Sequence, residues 1–159
     1  MVNVKLITVG NLKESYLREA AAEYVKRLGG FCKLEEIQLK EERVSDDPGE
    51  NEIRSVLEKE AVKILASLPQ RSLKIAMCVE GKQCSSEELA AMLDKGAEES
   101  GCICFVIGSS YGLSDRVKSA CDLRLSVSKL TFPHQLMRVL LLEAIYRGFN
   151  ISKGTRYHK

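Results

Sequence analysis

The sequence predicts an α/β fold built around a mainly parallel β-sheet. Two segments, Leu73–Val79 and Cys102–Ile107, are nearly continuous apolar runs, as expected for strands that are covered on both faces. Amphipathic helical patterns alternate with the predicted strands along the chain, which is the order of an α/β sheet. The length of 159 residues suits one domain, so we expect residues 1–159 to form a single unit.

The first half of the chain predicts two strands, each followed by a helix. Val2–Val9 and Cys32–Leu39 alternate between apolar and polar residues, which is typical of strands. Apolar residues at helical spacing predict helices over residues 13–28 and 53–68. The polar segment 40–50 predicts an exposed loop between the second strand and the second helix.

The second half of the chain predicts three strands, the first of which is Leu73–Val79, and the helices that follow them. Ser85-Ser86-Glu87-Glu88 predicts a capping box before a third helix, and Leu123–Val127 predicts a short fifth strand. The last helix, Pro133–Phe149, is apolar nearly all round, so it must be buried on more than one side. In so small a chain, we expect a second subunit to supply part of that cover, which predicts a homodimer.

Charge is distributed unevenly along the chain. Residues 1–115 contain 15 basic and 20 acidic side chains, whereas residues 116–159 contain 9 basic and 2 acidic ones. The basic final third predicts a polyanionic partner, most simply nucleic acid. A subunit contact or a solvated face is the alternative explanation for this charge.

Membrane, secretory and metal-binding functions are not expected. No apolar run approaches the length of a membrane span, and the N-terminus lacks the features of a signal peptide, which predicts a cytosolic protein. None of the six cysteines forms a pair with the two-residue gap of zinc ligands. We therefore interpret the cysteines as small buried hydrophobic residues and expect no metal.

Three segments at the predicted carboxyl ends of strands are candidates for a binding site: residues 79–82, 108–112 and 126–132. Ligands of open α/β sheets bind at this edge. Gly108 and Gly112 would let the backbone approach a ligand closely.

A hydrolase site and a dinucleotide site are alternative interpretations of these segments. Residues 108–112 match the G-x-S-x-G pattern of hydrolases, but the next helix is predicted to start only after Ser114. The only candidate bases of histidine type are His134 and His158. A dinucleotide site is not favoured, because no G-x-G-x-x-G follows the first strand.

The final third also carries long motifs. They are Phe105–Gly108, Gly112–Ser114, Leu125–Gln135 (L-S-V-S-K-L-T-F-P-H-Q), Leu136–Glu143 and Tyr157–Lys159. Through these motifs the sequence resembles the RlmH family, a group of SPOUT-class methyltransferases. The resemblance extends over the whole chain and is densest from Cys102 to Lys159.

The resemblance implies an α/β fold whose C-terminal part forms a trefoil knot, in a homodimer with the cofactor near the subunit interface. It implies S-adenosylmethionine as the methyl donor, and N3 of a pseudouridine in the 23S ribosomal RNA of an assembled ribosome as the acceptor. The cofactor residues that it implies are Ala76, Gly108, Val127, Ser128, Lys129, Leu130, Thr131 and Phe132.

We expect the catalytic residues among the histidines and the C-terminal tail. His158 is the first candidate for proton handling and His134 the second, with Tyr157 as a base-stacking residue and Arg138 near the cofactor or substrate. Glu143 is interpreted as a partner of Arg138 or Arg147. The residues expected to hold RNA phosphates are Arg147, Lys153, Arg156 and Lys159.

The sequence departs from the family pattern at two positions: Ser109 stands where glycine is usual, and Arg156 where proline is usual. Neither change removes a group with an evident role in methyl transfer. The alternatives from other classes are a non-catalytic RNA-binding protein and a nucleotide- or flavin-binding α/β protein.

Overall fold

A single five-stranded sheet forms the centre of the protein, which the computed structural model describes over residues 1–159. The strands are β1 (Val2–Val9), β2 (Cys32–Leu39), β3 (Leu73–Lys82), β4 (Cys102–Ile107) and β5 (Leu123–Leu125). Their order is β2-β1-β4-β3-β5, and every neighbouring pair is parallel. The α/β fold with a mainly parallel sheet is confirmed, and the sheet is parallel throughout.

Helices cover both faces of this sheet. They are α1 (Ser15–Leu28), α2 (Glu50–Ser67), α3 (Ser86–Ser100), α4 (Asp115–Ala120) and α5 (His134–Ser152). Helices α1, α3 and α5 pack on one face around a core that includes Phe105, and α2 and α4 pack on the other around Val106. This two-sided cover explains why β4 is apolar at every position.

Two strands end at residues other than the predicted ones. β3 continues to Lys82 rather than ending at Val79, because an irregularity lets both Met77 and Lys82 pair with Leu125. β5 ends at Leu125 rather than Val127, which releases Ser126 and Val127 to the loop that follows. Both changes fall at the edge of the sheet where the candidate loops lie.

The predicted helix starts of α3 and α4 are confirmed by their caps. Ser85 Oγ accepts a hydrogen bond from the Glu88 N–H at 3.1 Å, and the Glu88 carboxylate accepts one from the Ser85 N–H at 2.7 Å. Ser114 Oγ accepts from the Val117 N–H at 3.3 Å, so α4 begins only after the 108–112 turn is complete.

Helix α5 is buried mainly by the chain's own helices. It lies against α1 and α3 and contributes Leu141, Leu142 and Ile145 to the core. A Cβ atom at Gly148 would lie only 2.8 Å from Leu93 Cδ1, so glycine allows α5 to approach α3 closely. Leu136, Val139 and Leu140 remain only partly covered. The homodimer and the trefoil knot stay predictions.

The six cysteines are free thiols. Cys32, Cys102 and Cys104 are buried, as expected, whereas the other three are only half-buried. Burial raises the pKa of Cys104 to about 12 and that of Cys32 and Cys121 to about 11, so these thiols stay protonated near neutral pH. No cluster of histidine, cysteine or acidic side chains has the arrangement of a metal site. None of the helices is both long and apolar enough to span a membrane.

Candidate functional site

A cavity of about 820 Å³ lies at the carboxyl ends of β3, β4 and β5. Each of the three predicted segments contributes to it, and apolar side chains and backbone dominate its wall. The lining residues are Met77, Cys78, Val79, Glu80, Ile107, Gly108, Ser109, Ser110, Tyr111, Gly112, Leu113, Lys118, Leu125, Ser126, Val127, Ser128, Leu130, Thr131, Phe132, Pro133, His134 and Met137. Its volume and its mainly apolar wall suit a small-molecule cofactor.

The turn after β4 is folded tightly on itself. A Cβ atom at Gly108 would lie 2.2 Å from the Gly112 carbonyl oxygen, a distance that no side chain can adopt. The Gly112 N–H donates to the Ser109 carbonyl at 2.9 Å, and Gly112 has a φ of +85°. Gly108 is therefore needed by its own turn, in addition to the space for a ligand that the sequence predicts.

This turn does not form a hydrolase site. Ser110, the serine of the G-x-S-x-G pattern, is exposed and makes no hydrogen bond to either histidine. Helix α4 starts at Asp115, too late for the strand-to-helix elbow that such a nucleophile occupies. Nothing in the geometry favours the hydrolase alternative.

The loop from β5 to α5 is held by its own serines. Ser126 Oγ donates to the Ser128 carbonyl at 2.8 Å, and Ser128 Oγ accepts from the Leu130 N–H at 3.0 Å. The Ser126 N–H donates to the Lys82 carbonyl at 2.9 Å, which fixes the loop to β3. Polar groups thus shape the loop while Val127 and Leu130 stay 41% and 70% exposed.

An ion pair between Glu80 and Lys118 stands at the β3 side of the cavity. Glu80 lies within the irregular part of β3, and the lysine beside it lowers the pKa of its carboxyl group. Sequence reasoning missed Lys118, because it belongs to the short helix α4, whose residue pattern gives no sign of a contact with β3.

His134 is the first residue of α5 and lines the cavity. Burial lowers its pKa; Glu41 acts in the opposite direction, and Arg138 and Lys13 lower the pKa further. Burial is the largest of these causes, and it favours the neutral imidazole. A neutral ring can accept a proton near pH 7.

Arg138 lies one turn further along α5 but does not line the cavity. Its side chain is 2% exposed, and its Nη2 donates to the Gly10 carbonyl at 2.8 Å while Nη1 has no partner. Burial lowers the pKa of its guanidinium group, and Glu36 raises it. The observed contact is with the end of β1, and a role towards cofactor or substrate stays a prediction.

The C-terminal tail lies against the other end of α5. Tyr157 Oη donates to Glu143 at 3.1 Å, and Glu143 also pairs with Arg147 at 2.6 Å, so Arg147 rather than Arg138 is the partner of this acid. Burial and the Glu143 carboxylate raise the pKa of Tyr157 to about 12. His158 Nε2 lies 3.0 Å from Glu87 Oε1.

The tail and the cavity are separated within one subunit. An α-helix rises about 1.5 Å per residue, which places Arg147 about 20 Å along the axis from His134. Neither Tyr157 nor His158 lines the cavity. The same is true of the RNA-binding candidates Arg147, Lys153, Arg156 and Lys159.

The structure therefore divides the predicted residues into two groups. Gly108, Val127, Ser128, Leu130, Thr131, Phe132 and His134 line one cavity. Ala76 does not, because its side chain is fully buried in the core that includes Val106, and Lys129 does not reach the wall. Sequence reasoning missed Met77, Ile107 and Met137. Met137 could have been predicted, because residues three apart share a helix face and His134 was already a candidate.

An all-parallel sheet with a cavity formed by the loops at its carboxyl edge is consistent with the SPOUT class. The chain matches the family described as "Predicted SPOUT methyltransferase" over residues 2–158. Among solved structures it is similar to a probable methyltransferase from Bordetella pertussis Tohama I. The TM-score is 0.56 at 16% identity, covering 92% of this chain and 93% of that one, which is a likeness of fold alone.

More similar relatives carry a more specific name. The "Ribosomal RNA large subunit methyltransferase H" of Streptococcus thermophilus (strain ATCC BAA-491 / LMD-9) is 48% identical over 99% of this chain and 100% of its own length. The protein of the same name from Clostridium acetobutylicum is also 48% identical, with the same coverage. This chain therefore belongs to the SPOUT methyltransferases, in the ribosomal RNA large subunit methyltransferase H family.

Proposed function

We propose that this protein transfers a methyl group from S-adenosylmethionine to N3 of a pseudouridine in 23S ribosomal RNA. The observation that carries the proposal is the convergence of three loops on one cavity in a chain of this methyltransferase family. The substrate is an assembled ribosome, which places the enzyme in the cytoplasm.

The residues of the cavity fit this donor. Val127, Leu130 and Phe132 offer apolar surface for an adenine ring, and the turns around them offer backbone donors and acceptors. Lys118, the cavity's cation, is already neutralised by Glu80, so it does not repel a positively charged sulfonium. When bound, the donor supplies an electrophilic methyl group, and the protein's main contribution is alignment.

A proton must leave N3 of the acceptor base during the reaction. His134 lies at the cavity wall, and burial keeps the pKa of its imidazole low, so the neutral ring can accept that proton. Within one subunit His158 is too far from this wall to do the same. We assign proton handling near the donor to His134, and to His158 only if a second subunit brings it there.

The distance between tail and cavity supports a homodimer. Apolar side chains are exposed around the cavity at Val79, Tyr111, Val127 and Leu130, and a second subunit would cover them. A two-fold axis near this rim would bring one subunit's basic tail towards the other's cavity. The tail residues Lys153, Arg156 and Lys159 would then hold RNA phosphates beside the bound donor.

The proposal is tested with ribosomes purified from a strain that lacks the modification. With radiolabelled S-adenosylmethionine, we expect label in 23S RNA at one pseudouridine, and binding of the donor by calorimetry. The variant Gly108→Arg, whose side chain cannot fit the turn, should abolish both. Donor binding without any transfer to ribosomes would favour the non-catalytic RNA-binding alternative, and transfer to another nucleotide would contradict the assigned acceptor.

A further inference from the structure

Helix α2 contains a carboxylate that the proposed mechanism does not use. Glu60 is 2% exposed, although acidic side chains are almost never fully buried unless they are paired. No cation pairs with it: Lys63, one turn further on, pairs with Glu42 at 2.7 Å. Burial raises the pKa of the Glu60 carboxyl group, and the nearby acids Glu41 and Glu42 raise it further.

The two oxygens of Glu60 face different segments. Oε2 accepts a hydrogen bond from the Glu42 N–H at 3.2 Å. Oε1 has no hydrogen-bond partner. The Ser109 hydroxyl also has none, and Ser109 is only 4% exposed. Ser109 is among the groups close enough to affect Glu60, and its hydroxyl lowers the pKa of the Glu60 carboxyl group, against the larger effect of burial.

One of the two segments beside Glu60 lines the cavity, and the other lies close to His134, which lines it. Ser109 belongs to the turn at residues 108–112, which forms one wall. Glu42 follows Glu41, whose carboxylate reaches the turn at Gly10 beside His134. Glu60 thus connects the turn that carries Gly108 with the segment that approaches His134, although it does not line the cavity itself.

We propose that Glu60 is a positioning residue for the methyl-donor cavity. Its Oε2 holds the Glu42 backbone, and a small shift of the 108–112 turn lets its Oε1 accept a hydrogen bond from the Ser109 hydroxyl. In this way Glu60 fixes the turn relative to the segment beside His134. The inference rests on the proposed function for its consequence, donor binding, but the ordering of the turn is a property of the protein alone.

The energetic argument concerns the two unpartnered atoms. A buried polar atom without a partner destabilises the fold, because it has lost its hydrogen bonds to water. Glu60 Oε1 and Ser109 Oγ are complementary, one an acceptor and the other a donor, and a small shift of the turn satisfies both. Glu60 otherwise bonds only the Glu42 N–H, so a bond to Ser109 stabilises its carboxylate. The same bond fixes the position of the 108–112 turn.

The test compares Glu60→Met, which keeps the volume but removes the acceptor, with Ser109→Ala, which removes the donor. We expect each to weaken S-adenosylmethionine binding about tenfold by calorimetry, as the loss of one buried hydrogen bond predicts. The double variant should be no weaker than Glu60→Met alone, because that variant has already lost the bond to Ser109. At saturating donor, kcat should stay within about twofold, so the effect appears in KM.

A conservative variant separates positioning from simple packing. The amide of Glu60→Gln can accept from the Glu42 N–H and donate to Ser109 Oγ, so donor affinity should return to within about twofold of the native value. Glu42→Gln is the matched control, because it breaks the ion pair with Lys63 and leaves the Ser109 contact in place. It should leave donor affinity unchanged.

Amide hydrogen exchange in the absence of donor makes the outcome independent of the proposed function. In Glu60→Met and Ser109→Ala the Gly112 amide should exchange about tenfold faster, and in Glu42→Gln at the native rate. Unchanged exchange, or additive losses in the double variant, overturns the positioning role. If native protein fails to bind S-adenosylmethionine, the proposed function fails, and the exchange rates alone decide the role of Glu60.

Discussion

The two ends of helix α5 show how differently this protein builds its two functional regions. At the N-terminal end, His134 faces a cavity whose turns are fixed by backbone geometry, with buried strands beneath them. At the C-terminal end, the tail is held by side chains that are partly or largely exposed: Glu87, Glu143 and Arg147. Both ends belong to one helix of continuous core packing.

This difference separates a preformed region from an adaptable one. Steric fit in a buried turn cannot be relaxed without loss of the fold, whereas exposed ion pairs each contribute only about 0–1 kcal/mol. The preformed region suits a small cofactor of fixed shape. A ribosomal RNA surface is better served by the adaptable region, because the tail can leave its contacts at low cost and form new ones with phosphates and a base.

The largest expected effect is at the rigid end. Gly108→Ala places a methyl group 2.2 Å from the Gly112 carbonyl oxygen, so the turn must open. We expect donor affinity to fall about a hundredfold by calorimetry and stability to fall by about 1–3 kcal/mol in thermal unfolding. Gly49→Ala is the control, since nothing lies within 4 Å of that position. An unchanged donor affinity in Gly108→Ala would mean that the turn is not part of the donor site.

The next effect concerns the adaptable end. Deletion of Tyr157–Lys159 removes the contacts to Glu143 and Glu87 but touches no residue of the cavity wall. Methyl transfer to ribosomes should fall about a hundredfold, through lost alignment of the acceptor. Donor affinity should stay within about twofold. A parallel loss of both quantities would place the tail in the donor site and erase the contrast between the two ends.

A milder change loosens the tail without removing it. In the native protein the Glu143 carboxylate bonds both Arg147 and Tyr157, and Glu143→Gln weakens both bonds by removing the charge. We expect a change in KM for ribosomes of about twofold to fivefold with kcat unchanged, because exposed charged contacts contribute little. Glu99→Gln, which breaks an exposed pair with Lys95 on α3, should have no effect. A loss as large as that of the deletion would show that the docked tail is the active form.

The smallest effect is a pH dependence at His134. Its folded pKa is lowered, so below about pH 6.5 the unfolded chain binds the proton more readily and folding stability declines. Above that pH the ring is neutral in both states and contributes no pH dependence. Between pH 7 and pH 5, the stability of His134→Gln measured by urea unfolding should therefore fall less than that of the native protein. Equal slopes would show that the ring is not held in its neutral form.

Much of the fold could be predicted from local pattern. The apolar runs at β3 and β4 identified a sheet covered on both faces, and the serines before α3 and α4 marked where those helices begin. The strand order could not be predicted, because β1 pairs with β4, about a hundred residues away, and local periodicity carries no information on such pairing.

The candidate site was predicted where it depends on loops and missed where it depends on distant contacts. Val127, Leu130 and Phe132 follow a strand end and were found, but Lys118 meets Glu80 only through the packing of α4 against β3. Ala76 was assigned to the cofactor through the resemblance, and the structure instead buries its side chain in the core. The separation of the tail from the cavity required the actual length and direction of α5.

The first and last segments of the chain meet, and this sets the order in which the molecule can be completed. Gln135 and Arg138 of α5 bond the backbone of Lys13 and Gly10, and Leu141, Leu142 and Ile145 fill the core beside β1. During synthesis the N-terminal strands emerge first and must wait, with apolar surface uncovered, for the final helix. A ribosomal RNA methyltransferase thus completes its core only once α5 has left the ribosome that synthesises it.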